Sequence, residues 1–285
     1  MRVAAVVVTH NRPELLIEAI GALREQTHAI DELIVVDNAS GAKTVEVLKR
    51  MQCVDVLRLD ENVGGAGGFA AGVQRALDLG ADWILLLDDD AIAMPSLVEE
   101  LLAPLEEIAR ERVGAICSTV MEFGRIAPMH RRRFDPATLA EPVIDEAAYT
   151  AGPVRIDCGS FVGFLVNAEA VRAVGLPNAS FFLAYDDTEY SLRLGRAGWS
   201  VWLAPEAVVD HRRPAGARLR SGPYGVKHYY NLRNQLAVFR HYGTAPKWRL
   251  AKPLMLHGLI AARDGRIDSL RRWLKAWRDS WNVRI

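Results

Sequence analysis

The chain has 285 residues, 50% hydrophobic and 25% charged, with 22 Gly and 13 Pro. That is long and apolar enough to bury a substantial core, and it excludes a disordered or fibrous chain. The formal net charge is zero, but residues 211–285 carry 17 Lys and Arg against 3 Asp and Glu, while the preceding 210 residues carry 18 against 32; an acidic body suits a cleft that gathers a cation, and a basic tail suits an anionic partner or docking on that body.

Residues 3–8 form a β-branched and alanine run that reads as a strand covered on both faces. The run is too short, and reaches polar Thr9-His10-Asn11 too soon, for a secretory signal. Pro13 then opens a helix with Leu15, Leu16, Ala19, Ile20 and Leu23 at helical spacing, and residues 33–36 form a second buried strand. The same alternation continues with a strand over 54–59, a Gly-opened helix over 64–79 and a strongly apolar strand over 83–87. A polar cluster follows each strand, as on the ligand-binding rim of a doubly wound α/β sheet. Further along come a helix over 95–108, a strand over 113–120, and an irregular stretch over 123–151 with the basic run Arg131-Arg132-Arg133. A strand over 161–167, helices over 168–174 and 192–197, and a strand over 201–204 precede His211. From Tyr224 onward the pattern is helical, and residues 267–281 set Leu270, Trp273, Leu274 and Trp277 against Arg271, Arg272, Lys275 and Arg278, a basic amphipathic helix. No apolar stretch reaches the roughly 18 residues that span a bilayer, so any membrane contact is expected to be peripheral. Cys53, Cys117 and Cys158, odd in number and without metal-ligand spacing, are expected to be reduced cysteines of a cytoplasmic protein.

Asp88-Asp89-Asp90 directly follows Ile84-Leu85-Leu86-Leu87. Three carboxylates at the mouth of an apolar strand repel one another unless a cation neutralises them. Alternate residues of an extended chain point the same way, so Asp88 and Asp90 can share Mg2+ or Mn2+ while Asp89 faces elsewhere. A solvated turn or helix cap is the structural alternative. His211 could add an imidazole to that site, although a lone histidine is more often structural. The glycines of Asn62-Val63-Gly64-Gly65-Ala66-Gly67-Gly68-Phe69 would allow backbone N–H groups close to a phosphate, yet they fit neither dinucleotide-binding nor P-loop spacing. Asp186-Asp187-Thr188-Glu189 supplies either a general base or an acidic helix start.

In order, Val6-Val7-Val8-Thr9-His10-Asn11-Arg12, Leu33-Ile34-Val35-Val36-Asp37-Asn38-Ala39-Ser40, the Gly-rich run and Leu87-Asp88-Asp89-Asp90 resemble family 2 glycosyltransferases of the GT-A fold, over roughly residues 1–240. Tyr185 to Tyr190, His211 and Tyr229-Tyr230-Asn231-Leu232-Arg233-Asn234 carry the likeness further. The resemblance implies a GT-A catalytic domain over 1–222, a basic helical extension over 223–285, and an inverting, metal-dependent transfer from a nucleotide-diphosphate sugar. It implies that Thr9 and Asp37 hold the nucleoside, that Asn62, Gly64 and Gly65 lie near the ribose or diphosphate, and that Asp88, Asp90 and His211 bind Mn2+ or Mg2+. Asp89 would face the donor sugar, Asp187 would be the base with Asp186 as its rival, and Glu189 and Trp199 would line the acceptor side. Within the family, GGAGGF followed by DDD is most similar to actinobacterial galactofuranosyltransferases that use UDP-galactofuranose, with dTDP-rhamnose-dependent rhamnosyltransferases as the rival. The expected partners are a nucleotide sugar, a glycan or lipid-linked acceptor, an anionic membrane met on its cytoplasmic face by the basic tail, and a second copy of the chain, but no nucleic acid. A nucleotidyltransferase is the competing class, disfavoured because its Gly-rich loop would follow the first strand; a non-catalytic sugar-binding module would not need Asp187 beside the triplet.

Overall fold

The computed structural model describes residues 1–108, 110–213 and 223–285. The boundary expected at residue 222 lies outside the described residues. The chain starts with β1 (Val3–Thr9), α1 (Pro13–Arg24), β2 (Glu32–Asp37), α2 (Ala42–Arg50), β3 (Asp55–Arg58), α3 (Gly64–Asp78) and β4 (Trp83–Asp88). It continues through β5 (Ala91–Ala93), α4 (Leu97–Leu102), α5 (Pro104–Glu107), β6 (Val113–Glu122), β7 (Arg125–Ile126), β8 (Arg131–Arg132), β9 (Val154–Ile156), β10 (Cys158–Gly159) and β11 (Phe164–Asn167). The last elements are α6 (Ala168–Val174), α7 (Asp186–Arg196), β12 (Ser200–His211), α8 (Val226–Tyr242), α9 (Ala251–Arg263) and α10 (Ile267–Asp279).

The main sheet runs β3-β2-β1-β4-β11-β6-β12-β5, with β7 beside β6 and β9 beside β12. Strands β3, β2, β1 and β4 are mutually parallel, and β11 enters antiparallel between β4 and β6. Every residue of β1 is buried, as the unbroken apolar run requires when both sheet faces are covered. One face packs Val6, Val8 and Val36 under Phe69 and Val73 of α3; the other packs Val7, Val35 and Leu87 against Leu16 and Ile20 of α1. Helix α3 lies close to β1 because Gly68 and Gly72 carry no side chain: a Cβ at Gly68 would stand 2.6 Å from Val8 and one at Gly72 would stand 2.2 Å from Val6. The helix 95–108 is split into α4 and α5 at Pro104, which cannot continue a hydrogen-bond ladder.

Strand order reverses around β1, where doubly wound sheets bind ligands beyond the carboxyl ends of their strands. Helix α8 is part of the body: Val238, Phe239 and Tyr242 share a cluster with Ala66 of α3 and Phe181. Helices α9 and α10 then pack around Leu232 and Leu236 through Leu254, Trp273 and Ala276. No helix among the described residues is long and apolar enough to cross a membrane.

Candidate active site

The parallel register puts Thr9 opposite Asp37 and Val8 opposite Asp88, so three strand ends deliver polar side chains to one rim. After Asp88 the chain turns through Asp89 and Asp90 into β5, which pairs antiparallel with β12 so that His211 faces Ala91. The Arg212 N–H donates to the Asp90 carbonyl at 2.7 Å and closes this corner. A histidine 121 positions beyond Asp90 thereby comes to the triplet, with His211 Nε2 3.3 Å from Asp90 Oδ1. One ligand atom each from Asp88, Asp90 and His211 lie within 4.8 Å of one another. This alternate-residue pair of carboxylates plus an imidazole fits Mn2+ or Mg2+, which favour hard oxygen donors. Its electrostatics ask for a cation too: burial, then Asp90, pushes Asp88 up to about 7, whereas Asp90 is lowered because His211 and Arg12 outweigh its burial. Asp90 and Asp88 raise His211 in spite of its burial.

Three surrounding residues had no role in the sequence reading. Arg12 donates to Asp89 Oδ1 at 3.0 Å and to Asp90 Oδ2 at 2.6 Å, so a guanidinium already offsets part of the triplet's charge. Glu122, at the end of β6, accepts from the second ring nitrogen of His211 at 3.1 Å and also stands 3.1 Å from His130 Nε2. His130 meets Ser160 Oγ at 2.7 Å through its other nitrogen. A carboxylate on Nδ1 leaves Nε2 of His211 facing Asp90, the arrangement that orients metal-binding imidazoles. The basic run beside His130 is only partly solvated: Arg133 is exposed, but Arg131 is fully buried and donates to the carbonyls of Ser118 and Val162, each at 2.7 Å. Arg132 pairs with Glu141.

Asp89 is turned back onto β1, where it accepts from the Thr9 hydroxyl at 2.7 Å as well as from Arg12. Asp37 is fully buried, accepts from Ser40 N–H at 2.9 Å and pairs with Arg58. Asn38 ties β2 to the start of α3, donating to Asn62 Oδ1 at 3.1 Å and to the Gly64 carbonyl at 3.0 Å. The glycine run is the first turn of α3, and Asn62 already accepts the Gly64 N–H at 2.9 Å. Gly64 has φ +74°, and a Cβ there would lie 2.0 Å from the Phe182 carbonyl oxygen. Around Gly65, nothing lies within 4 Å of where a Cβ would be.

Asp186 and Asp187 begin α7, six residues before the helix expected at 192. The preceding loop is strained, with Phe182, Ala184 and Tyr185 all at positive φ. Asn234 of α8 holds it, donating to the carbonyls of Phe181, Leu183 and Ala184 at 3.0, 2.9 and 2.7 Å. Arg233 donates to the Ser180 and Phe181 carbonyls, and Tyr230 stacks on Phe182 at 4.7 Å. Asp186 is buried and pushed up to about 8 by that burial and by Asp187, with Asp88 among the other charges acting on it. Asp187 is half-buried and accepts from the Thr188 N–H at 2.6 Å.

Two expected acceptor residues lie elsewhere. Glu189 is 1% exposed and consumed by Arg193, at 2.8 Å, and by the Tyr242 hydroxyl, at 2.9 Å. It faces inward because helical spacing turns it away from Asp187 into the seam with α8. Trp199 precedes β12 at the opposite end from His211, buried under Arg112. From Ser200, paired with Val113, to Asp210, paired with Met121, the neighbouring β6 advances eight residues, roughly 26 Å, which removes Trp199 from the rim.

Residues 4–171 match the family model described as Glycosyl transferase family 2. The galactofuranosyltransferase GlfT1 of Mycolicibacterium smegmatis is 35% identical over 288 residues, covering 96% of this chain and 94% of that protein. The dTDP-rhamnosyl transferase RfbF of Shigella flexneri is 24% identical over the same shares of both chains. Among solved structures, a mannosyltransferase of Pyrobaculum calidifontis in complex with GDP-Man and Mn2+ superposes with a TM-score of 0.60 at 16% identity, covering all of this chain and 76% of that one. GalNAc-T7 with UDP, GalNAc and Mn2+ superposes with a TM-score of 0.69 at 16% identity, and the chain, covered to 96%, spans 54% of that protein. These likenesses carry the GT-A fold.

Proposed function

Because this chain belongs to glycosyl transferase family 2 and is a nucleotide-sugar-dependent glycosyltransferase, we propose that it moves galactofuranose from UDP-galactofuranose to a hydroxyl of a cell-surface glycan or lipid-linked acceptor in one inverting displacement. The observation that carries this reading is the convergence of Asp88, Asp90 and His211 at the end of β4, with the acidic start of α7 acting on the same rim. The donor assignment is supported by the mycobacterial relative, which aligns along nearly the whole chain at 35% identity, against 24% for the rhamnosyl relative.

Asp88, Asp90 and His211 would hold Mn2+ or Mg2+. When bound, such a cation neutralises charge that develops on a departing nucleoside diphosphate. Thr9 and the Asp37–Arg58 pair border the nucleoside, Asn38 fixes Asn62 beside it, and the open backbone at Gly65 admits the ribose or diphosphate. Asp89 braces Thr9 and Arg12 at the edge of the sugar site. Asp187 takes the acceptor hydroxyl proton, being the accessible carboxylate of its pair, while Asp186 holds a proton at neutral pH. A lipid-linked acceptor would be met from the cytoplasmic face of a membrane by the basic tail.

The test is nucleotide release with UDP-galactofuranose and dTDP-rhamnose side by side, with and without Mn2+. Turnover of UDP-galactofuranose alone, dependent on Mn2+, is the expected result; turnover of dTDP-rhamnose alone would move the chain to the rhamnosyl reading. Asp90→Ala should abolish the Mn2+ dependence of UDP binding in calorimetry, and unchanged dependence would remove the metal from the triplet.

A further inference from the structure

Half of the exposed large apolar side chains among the described residues lie between Trp248 and Trp281. On α9 they form one stripe: Met255, Leu256 and Leu259 are 62%, 52% and 65% exposed, while Pro253, His257 and Ala261 are buried on the opposite side. A helix that meets only water shows the reverse pattern, with its apolar residues inward. Helix α10 packs back on α9, its Trp273 indole donating to the Leu254 carbonyl at 3.0 Å and resting against Gly258. That packing uses Trp273 and Ala276 but leaves Leu274, Trp277 and Trp281 exposed, so the apolar residues of this amphipathic helix are divided between the fold and the outside.

The charge around the stripe has one sign. Lys252, Arg263, Arg266, Arg271, Lys275 and Arg278 are exposed, and from Lys247 to Ile285 there are ten Lys and Arg against three Asp. Each of those acids already has partners: Asp264 accepts from Ser269 and the Tyr224 N–H, Asp268 pairs with Arg271, and Asp279 accepts from Tyr229 and pairs with Lys275. A two-fold pairing of this face with a second copy would set that positive charge against itself. Aliphatic and tryptophan side chains inside a basic rim match the surface of an anionic bilayer, where apolar groups enter the headgroup boundary and Lys and Arg meet lipid phosphates.

We infer that the α9–α10 hairpin is the surface by which this protein lies on an anionic bilayer, with Met255, Leu256 and Leu259 of α9 as its inserted residues. This deepens the peripheral contact proposed above and is independent of the donor assigned there. It also shifts the contact from α10, where the sequence pattern points, to α9.

The experiment is co-sedimentation of the full chain with vesicles of phosphatidylcholine alone and of phosphatidylcholine with phosphatidylglycerol. Three proteins are compared: the wild type, Met255→Gln/Leu256→Gln/Leu259→Gln, and Lys252→Gln/Arg263→Gln/Arg266→Gln. Because all six side chains are exposed, neither variant opens a cavity. Wild type should partition onto the anionic vesicles and be released by raised salt. Both variants should lose about tenfold or more of that partitioning, the first without changing salt sensitivity and the second while weakening it. Partitioning unchanged in the first variant would overturn the assignment of α9. A wild-type dimer in sedimentation velocity that becomes a monomer in that variant, without vesicle binding in either, would give the face to a second copy and overturn the inference. Stabilisation by UDP with Mn2+, expected to be equal in all three proteins, reads the proposed active site separately.

Discussion

Asp186 and Asp187 are adjacent in the chain but differ in surroundings, and that difference is the basis of the roles proposed for them. Burial and its neighbour push Asp186 up to about 8, while Asp187 is only half-buried, which supports it as the base proposed above. Asp187→Asn should therefore lower kcat by about 10²–10⁴-fold while leaving the KM for the donor near the wild-type value. Asp186→Asn replaces an already neutral group and should keep most of the rate. Steady-state kinetics of both variants check the assignment, and the reverse ranking would make Asp186 the base. The metal candidates were legible in the sequence, because three acids after an apolar strand are an unusual expense of charge repulsion. Arg12 and Glu122 were not: a guanidinium reaching from the start of α1 to the end of β4, or a carboxylate meeting a histidine 89 positions away, leaves no mark at short range in the chain. The Glu122–His211 contact follows from register, Asp210 pairing with Met121 and so bringing the next residues, His211 and Glu122, together.

The elements were legible where hydrophobic period was strong and lost where it was interrupted. β1, β2 and β4 stand within a residue or two of expectation because each is an unbroken buried run. β12 extends over twelve residues where only four were expected, since Pro205-Glu206 falls in a bulge between Ala204 and Val208, and a bulge tolerates a proline that a regular ladder does not. α2 escaped notice because it buries only Thr44 and Leu48. The loop before α7 was illegible for another reason: non-glycine residues at positive φ are adopted only under external constraint, and the constraint is Asn234, about fifty positions later. Asn234→Leu should leave the Leu183 and Ala184 carbonyls without their side-chain donor, while Phe181 keeps Arg233, costing about 2–4 kcal/mol and letting the loop relax. Thermal unfolding should register the loss, and kcat should fall more than affinity for UDP with Mn2+, because the displaced element carries Asp187 but not Asp88 or Asp90. A variant as stable and as fast as wild type would show that the loop holds its conformation without α8.

At the scale of the whole molecule, the acidic body and basic tail are not two loosely joined parts. α8 shares a buried cluster with α3 and the loop before α7, and Tyr242 near its end bonds Glu189 of the body. The helical character of the tail was legible from its periodicity and docking on the body was one of two readings of its charge, but the contacts that make the joint were not, because Asn234 and Tyr242 weigh little in a hydrophobic pattern and Val238 and Phe239 meet Ala66 and Phe181 from far along the chain. The hairpin beyond α8 depends on a buried polar contact with its own pH signature. His257 of α9 faces the Tyr224 hydroxyl at 3.2 Å, and Tyr224 stacks on His228 at 4.7 Å. Burial, reinforced by His228, lowers His257 to about 4, against roughly 6.5 in an unfolded chain. The folded state therefore binds fewer protons than the unfolded one between those values, and stability falls as pH drops through that interval. Above pH 6.5 this contribution is fully present; by about pH 4 it is lost, with a total of about 2–4 kcal/mol. Asp264, which accepts from the Tyr224 N–H, does not mask it, since it lies below its ordinary value, and Asp279 of α10, at about 2, likewise titrates beneath the window. His257→Gln keeps an acceptor for Tyr224 but cannot take up a proton, so its melting temperature should decline less than that of wild type between pH 7 and 4.5. Parallel declines in the two proteins would show that His257 is not what links this hairpin to pH.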